Sequence, residues 1–214
     1  AAAARDAGWP LCVSYGMTET ASLVAAECGP AAGRLAGRVG EPLPGMAVRA
    51  GRPDAPARVR LRGPLLMRGY ATPQRRPGIG LEHDWYTTQD LGWLDEAGAL
   101  HIEGRADEVL VSGGVKIHPA HLEARLGACP QIGHVGVTGL ADRRWGDRLV
   151  AVYTGQAART AVEQWCRAHI AAAERPRLFL RVTELPLLGP GKLDRRRLRA
   201  CAEQALQPDE EASD

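Results

Sequence analysis

Tyr15-Gly16-Met17-Thr18-Glu19-Thr20 sets a hydroxyl beside a carboxylate directly after the apolar run Leu11 to Ser14. Open α/β sheets collect their ligands beyond the carboxyl ends of the strands. A threonine there can bind a phosphate oxygen, and a glutamate can hold a hard cation such as Mg²⁺, which takes a few carboxylates plus phosphate oxygens and water. A strand-to-helix turn with a capping Thr accounts for the same residues without chemistry. Trp85-Tyr86-Thr87-Thr88-Gln89-Asp90 offers a second carboxylate at the end of a β-branched and aromatic run. Such an acid can accept both hydroxyls of a ribose, or simply cap a turn. Gly104-Arg105-Ala106-Asp107 adds a forked donor and a third carboxylate.

Two further stretches matter. Ser112-Gly113-Gly114-Val115-Lys116 places a glycine pair in an apolar strand region. That pattern suits close approach of a thin ligand or of another backbone, or a bulge. Leu185 to Asp194 carries Lys192 at the tip of a Gly/Pro-rich loop, just before an N-cap Asp. A lysine on such a loop is suited to neutralising phosphate charge, although most loop lysines have no such task. His118 and His121 stand at i, i+3 around Pro119, which is not an HExxH frame and does not assemble a zinc site.

The elements that must position these groups divide at about Gly104 to Asp107. The first 28 residues read as helix (Ala1 to Ala7), strand, sharp turn and a second segment of helical composition, the end of an α/β subdomain. From Gly33 to about Leu94, Gly and Pro punctuate short alternating runs, including Leu65 to Tyr70, which predicts a small distorted β-barrel. Asp95-Glu96-Ala97-Gly98 joins two apolar runs as a hairpin turn. Beyond it the pattern is α+β: a helix opened by Pro119, strands at Ile132 to Leu140 and Leu149 to Thr154, a helix near Ala158 to Ala171, a strand at Leu178 to Val182 and a helix from Asp194. The expected domains are thus residues 1–104, 105–206 and a disordered acidic tail, 207–214.

Twenty-seven Lys and Arg against 25 Asp and Glu give a formal charge of +2, too small to indicate a nucleic-acid partner. No apolar stretch approaches the roughly 20 residues that span a bilayer, so membrane insertion is not expected. The five cysteines are odd in number and scattered without a CxxC pair, which predicts neither a disulfide framework nor a zinc site and fits a reducing cytoplasm.

In order and spacing, YGMTET, LRGPLLMRGY, WYTTQDLGWLDEAGALHIEGRADEVLVSGG and LPLLGPGKLDRRRL resemble the adenylate-forming family of acyl-CoA synthetases, aryl-CoA ligases, luciferases and peptide-synthetase adenylation domains. The likeness runs from about Leu11 to Leu198. VSGGVKIHPAHLE resembles the CoA-ligase version of its motif, and the YGMTETAS stretch and Trp145-Gly146 resemble o-succinylbenzoate, long-chain and coumarate-type ligases.

This resemblance implies an AMP-forming acid–thiol ligase that uses ATP, Mg²⁺ and coenzyme A on a carboxylic acid. By it Thr18 contacts the AMP phosphate and Glu19 holds Mg²⁺. Tyr15 and Gly16 share the nucleotide site, Asp90 binds the ribose hydroxyls and Arg105 assists there. Asp107 is the hinge of a mobile C-terminal domain, Gly113 and Gly114 line the pantetheine tunnel, Arg175 lies near the CoA nucleotide, and Lys192 contacts the carboxylate and α-phosphate. The family's usual Gly between Thr and Asp is here Gln89. Nothing in the chain resembles the family's N-terminal phosphate loop, so the chain by itself is expected to be inactive without the N-terminal part of the same enzyme. Two other readings stay open: an adenylation domain that loads a carrier protein, and a non-catalytic remnant that binds nucleotide or a partner chain.

Overall fold

The computed structural model describes residues 4, 7–30, 32–33, 37–71, 78–189 and 191–205. It divides into two compact units, one ending at Asp107 and one beginning at Glu108. The helix expected over Ala1 to Ala7 falls mainly outside the described residues, as do Pro190 and the acidic tail.

The first unit holds β1 (Cys12–Met17), β2 (Ser22–Cys28), β3 (Arg38–Pro42), β4 (Ala47–Arg49), β5 (Ala57–Arg62), β6 (Leu81–Glu82), β7 (Trp85–Leu94) and β8 (Leu100–Arg105). They form one sheet in the order β1-β2-β3-β8-β7-β5-β4, with β6 on β7. It is an open sheet, not a closed barrel. Val24, Ala25, Val59, Leu61 and Leu100 are fully buried at its centre. The helical segment expected after Met17 is instead β2, antiparallel to β1. A short 3-10 turn at Thr18–Thr20 and positive φ at Ala21 and Ser22 reverse the chain, and burial of Val24 and Ala25 against the sheet outweighs alanine's helical preference. Leu65 to Tyr70 forms no strand. It is bound into turns, by Leu66 N to Gly63 O and Tyr70 N to Ile79 O.

Cys12 and Cys28 also depart from expectation. The hairpin register sets them opposite each other, with Cα atoms 4.1 Å apart and joined as a disulfide. Scattered positions come together because an antiparallel hairpin pairs residues far apart in number. The Asp95–Gly98 turn forms as read, with Asp95 N donating to Ala99 O and the Asp95 carboxylate accepting from Ala99 N at 2.8 Å.

The second unit is α+β: β9 (Leu110–Ser112), β10 (Val115–Ile117), α1 (Pro119–Leu126), β11 (Ile132–Asp142), β12 (Gly146–Gly155), α2 (Arg159–His169), β13 (Leu178–Arg181) and α3 (Arg195–Gln204). Its sheet runs β10-β9-β12-β11, and β13 lies parallel to β12. The central β12 is buried on both faces from Leu149 to Tyr153, as a continuous apolar run requires. α1 starts with Pro119 at its first turn and buries Leu122 and Leu126. α3 is capped by Asp194, whose carboxylate accepts from the amides of Arg196 and Arg197. No helix among the described residues is long and apolar enough to cross a membrane.

Candidate functional site

Asp90 lies in the middle of β7, not at a strand end, and pairs across the ladder with Arg105 on β8. Its Oδ2 accepts from the Tyr15 hydroxyl at 2.6 Å, and its Oδ1 stands 3.9 Å from the Arg105 guanidinium. Thr88 closes the local backbone by accepting from Asp90 N at 3.0 Å. The carboxylate is therefore held in one orientation, with one oxygen committed and the other only loosely opposed by charge. Burial, followed by the adjacent Asp90, holds the Tyr15 hydroxyl protonated far above its ordinary value. Arg105 also forks onto Asp107, Nε to Oδ1 at 3.0 Å and Nη2 to Oδ2 at 2.8 Å, and this pairing holds the Asp107 carboxyl below its usual range. Tyr15, Asp90, Arg105 and Asp107 thus form one chain of contacts.

Thr18 and Glu19 sit in the turn between β1 and β2. Thr20, not Thr18, is the residue that closes it: its buried hydroxyl accepts from Met17 N and lies within reach of the Met17 and Ser22 carbonyls. Thr18 is exposed and its hydroxyl meets none of the described residues. Gly16 is there for space, since a Cβ would run into the Ser22 carbonyl. Glu19 Oε1 accepts from the hydroxyls of Tyr70 at 2.8 Å and Tyr86 at 3.2 Å. Its own backbone amide, then the Tyr70 hydroxyl, lower its pKa, and both tyrosine hydroxyls fall on Oε1 rather than Oε2. Burial, then the Tyr70 hydroxyl and the Glu19 charge, raises the Tyr86 hydroxyl well above its ordinary value.

Tyr70 and Tyr86 were not found by sequence reasoning. The signal for Tyr86 was present: in an alternating strand Tyr86, Thr88 and Asp90 share one face. Tyr70 carried no such signal, because it reaches Glu19 only through the turns that replace the expected strand.

Gly113 and Gly114 are the two-residue turn of the β9–β10 hairpin, both at positive φ (+58° and +82°), so they end strands where an interruption or a bulge had been expected. A Cβ on Gly113 would press on the Trp145 ring at 3.1 Å, whereas Gly114 opens onto free space. Arg175 serves the end of α2, donating to the carbonyls of Ile170 at 2.6 Å and Arg167 at 2.8 Å. Its side chain is committed to capping. Lys192 is exposed at the tip of a tight loop whose backbone is closed by Leu188 N to Lys192 O and Gly191 N to Leu188 O. Among the described residues nothing pairs with its ammonium.

Residues 121–192 match the family of AMP-binding enzyme C-terminal domains. The chain is 31% identical over 204 residues to the 2-succinylbenzoate–CoA ligase of Bacillus pumilus, covering 92% of this chain and 42% of that protein. It is 34% identical over 197 residues to the indoleacetate–CoA ligase of Aromatoleum aromaticum, covering 87% and 39%. Its fold matches the o-succinylbenzoate CoA synthetase of Bacillus subtilis in complex with an acyl-adenylate intermediate, with a TM-score of 0.81, 29% identity and coverage of 92% and 43%. The chain therefore spans about two fifths of the length of the curated relatives it matches.

Proposed function

We propose, for a chain whose residues 121–192 match the AMP-binding enzyme C-terminal domain and whose relatives are named as CoA ligases, that it supplies the ribose, magnesium and lysine groups of an ATP-dependent acyl- or aryl-CoA ligase. The observation that carries this reading is the Asp90 carboxylate, oriented by Tyr15 and flanked by Arg105. A fixed carboxylate with a lightly opposed oxygen is what a vicinal diol needs as acceptor. Glu19 offers a single carboxylate whose Oε2 takes neither tyrosine hydroxyl, next in sequence to the exposed Thr18. Among the described residues no three His, Cys, Asp or Glu gather as a metal cage. One carboxylate completed by phosphate oxygens and water is nonetheless how Mg²⁺ accompanies nucleotides.

In the reaction proposed, a substrate carboxylate oxygen attacks the α-phosphorus of ATP and pyrophosphate leaves. The thiol of coenzyme A then attacks the acyl carbon, AMP departs and the thiol proton passes to solvent. Charge develops on phosphoryl oxygens in the first step; Glu19 would hold the metal whose positive charge offsets it, and the ammonium of Lys192 would add a second cation. The second step needs water excluded from the mixed anhydride, which is the role proposed for the Gly113-Gly114 turn.

The test is AMP titration of the chain by calorimetry or NMR, beside pyrophosphate exchange in the chain joined to the coding sequence upstream of it. Asp90→Asn is expected to weaken AMP binding and to depress exchange with it. Unchanged affinity in Asp90→Asn removes the assignment. Comparing free coenzyme A with a holo carrier protein as acceptor fixes the thiol.

A further inference from the structure

Arg195 occupies a place that stability alone would avoid. It is the first residue of α3, at the positive end of the helix dipole, followed by two more arginines. It is also largely withdrawn from water, its side chain 28% exposed. Burying a cation there needs compensation, and the fold supplies it from two distant elements. Both Glu123 oxygens, on α1, accept from the two Nη atoms, one of them at 3.0 Å. Glu108, the first residue of the second unit, stands 3.3 Å from Nε. Glu123 is fixed in turn by the β11 backbone, its Oε1 accepting from Val137 N at 2.7 Å.

What this clamp holds is the stem of the lysine loop. Asp194, next to Arg195, donates its amide to Pro186 O at 2.9 Å and caps α3 with its carboxylate. Leu187 and Leu193 bridge above it, and Lys192 follows at the tip. Only Leu193 and Asp194 lie between Lys192 and Arg195, so any displacement of the α3 start is passed to Lys192 through a short closed loop. The side chain that fastens this stem is also the one that reaches Glu108, immediately after Asp107.

We propose that Arg195 is a positioning residue: paired with Glu123 and Glu108, it sets the height and direction at which the Lys192 loop is presented. The inference rests on the reading of Lys192 as the cation of the adenylation step. Arg195 touches no substrate; its effect passes through the loop.

The test has two arms on Arg195→Met, which keeps the stem and removes the fork, and on Arg195→Lys, which keeps charge without bidentate geometry. In the chain itself, amide exchange is followed at Leu188, Gly191 and Asp194 against Leu149 to Tyr153 of β12. In the chain joined to its upstream sequence, pyrophosphate exchange is compared with thioester formation from preformed acyl-adenylate. Expected for Arg195→Met is exchange faster by at least about 10-fold at the loop amides with β12 unmoved, since each tenfold is only about 1.4 kcal/mol of local opening. Adenylation should fall by on the order of 10²-fold, the effect of a shift of about 1 Å, while the bypass reaction stays near normal. Arg195→Lys should fall between. Uniformly faster exchange through β12, or equal loss of both half-reactions, makes Arg195 a general stabiliser and overturns the proposal. Loop exchange like wild type overturns it as well. If Arg195→Met does not fold, Glu108→Gln removes the charge of the 3.3 Å arm while the Glu123 fork stays in place, and is expected to show the same pattern at smaller size. Absence of adenylation in the wild type would end the functional reading, while the exchange arm would still decide whether Arg195 holds the loop.

Discussion

The Tyr15 hydroxyl donates to the Asp90 carboxylate at 2.6 Å, joining residues 75 apart in the chain. Tyr15→Phe leaves the carboxylate without its donor, and a hydrogen bond to a charged group contributes about 1.5–3 kcal/mol. Urea unfolding of the variant is expected to show a loss in that range, and AMP affinity should fall with it because Asp90 is no longer held. A variant that binds AMP as tightly as wild type would separate the hydrogen bond from the site.

The same pair sets a pH dependence. Burial and Asp90 raise the Tyr15 pKa in the folded chain, and burial with Glu19 and Tyr70 does so for Tyr86. Above the unfolded value of about 10 the unfolded chain releases these protons while the folded chain keeps them. Stability from both tyrosines is therefore full below about pH 10 and declines as pH rises toward the folded values. Unfolding measured across this alkaline range should show a steeper decline for wild type than for Tyr15→Phe or Tyr86→Phe. Parallel curves would contradict the assignment.

Glu19 behaves in the opposite sense. Its own backbone amide and the hydroxyls of Tyr70 and Tyr86 lower its pKa. Its contribution to stability is present above the unfolded value of about 4.3 and is lost as pH falls through the lower folded value. NMR titration of Tyr70→Phe should move the Glu19 pKa upward toward that unfolded value. An unmoved titration would mean that the tyrosine hydroxyl does not tune the proposed metal ligand.

Lys192→Ala is expected to reduce adenylation by at least about 10² to 10³, the effect of removing one preorganised donor from a developing charge. Preformed acyl-adenylate and coenzyme A should still give near-normal thioester. Equal impairment in that bypass would show that the lysine acts in both steps or is structural.

Gly113 and Gly114 differ in a way that mutation can read. Alanine at Gly114 meets no neighbour but must adopt φ +82°, at a cost of about 1–2 kcal/mol. At Gly113 the same strain is joined by a 3.1 Å contact with Trp145, so Gly113→Ala should be the more destabilising in urea unfolding. The reverse order would remove Trp145 as the reason for the glycine.

Much of the fold was legible because its signals are local. The Asp95–Gly98 turn, Pro119 at the start of α1 and Asp194 capping α3 each depend on a few neighbouring residues, and each stands where composition placed it. The continuous apolar run of β12 declared its own burial. The order of the motifs pointed to the family whose C-terminal domain residues 121–192 match, because their spacing is written directly in the chain. What the sequence could not decide is long-range pairing. Ser22–Cys28 has helical composition yet is a strand, since β1 and the sheet provide partners that its own residues cannot announce. The same register joined Cys12 to Cys28. Asp90 was visible as a carboxylate, but Tyr15 as its holder, Arg105 shared with Asp107, and Tyr70 with Tyr86 around Glu19 arise where turns and ladders bring separate segments together. Local chemistry fixes which residues can act; the geometry that lets them act is a property of contacts between segments, and these exist only once the chain has folded.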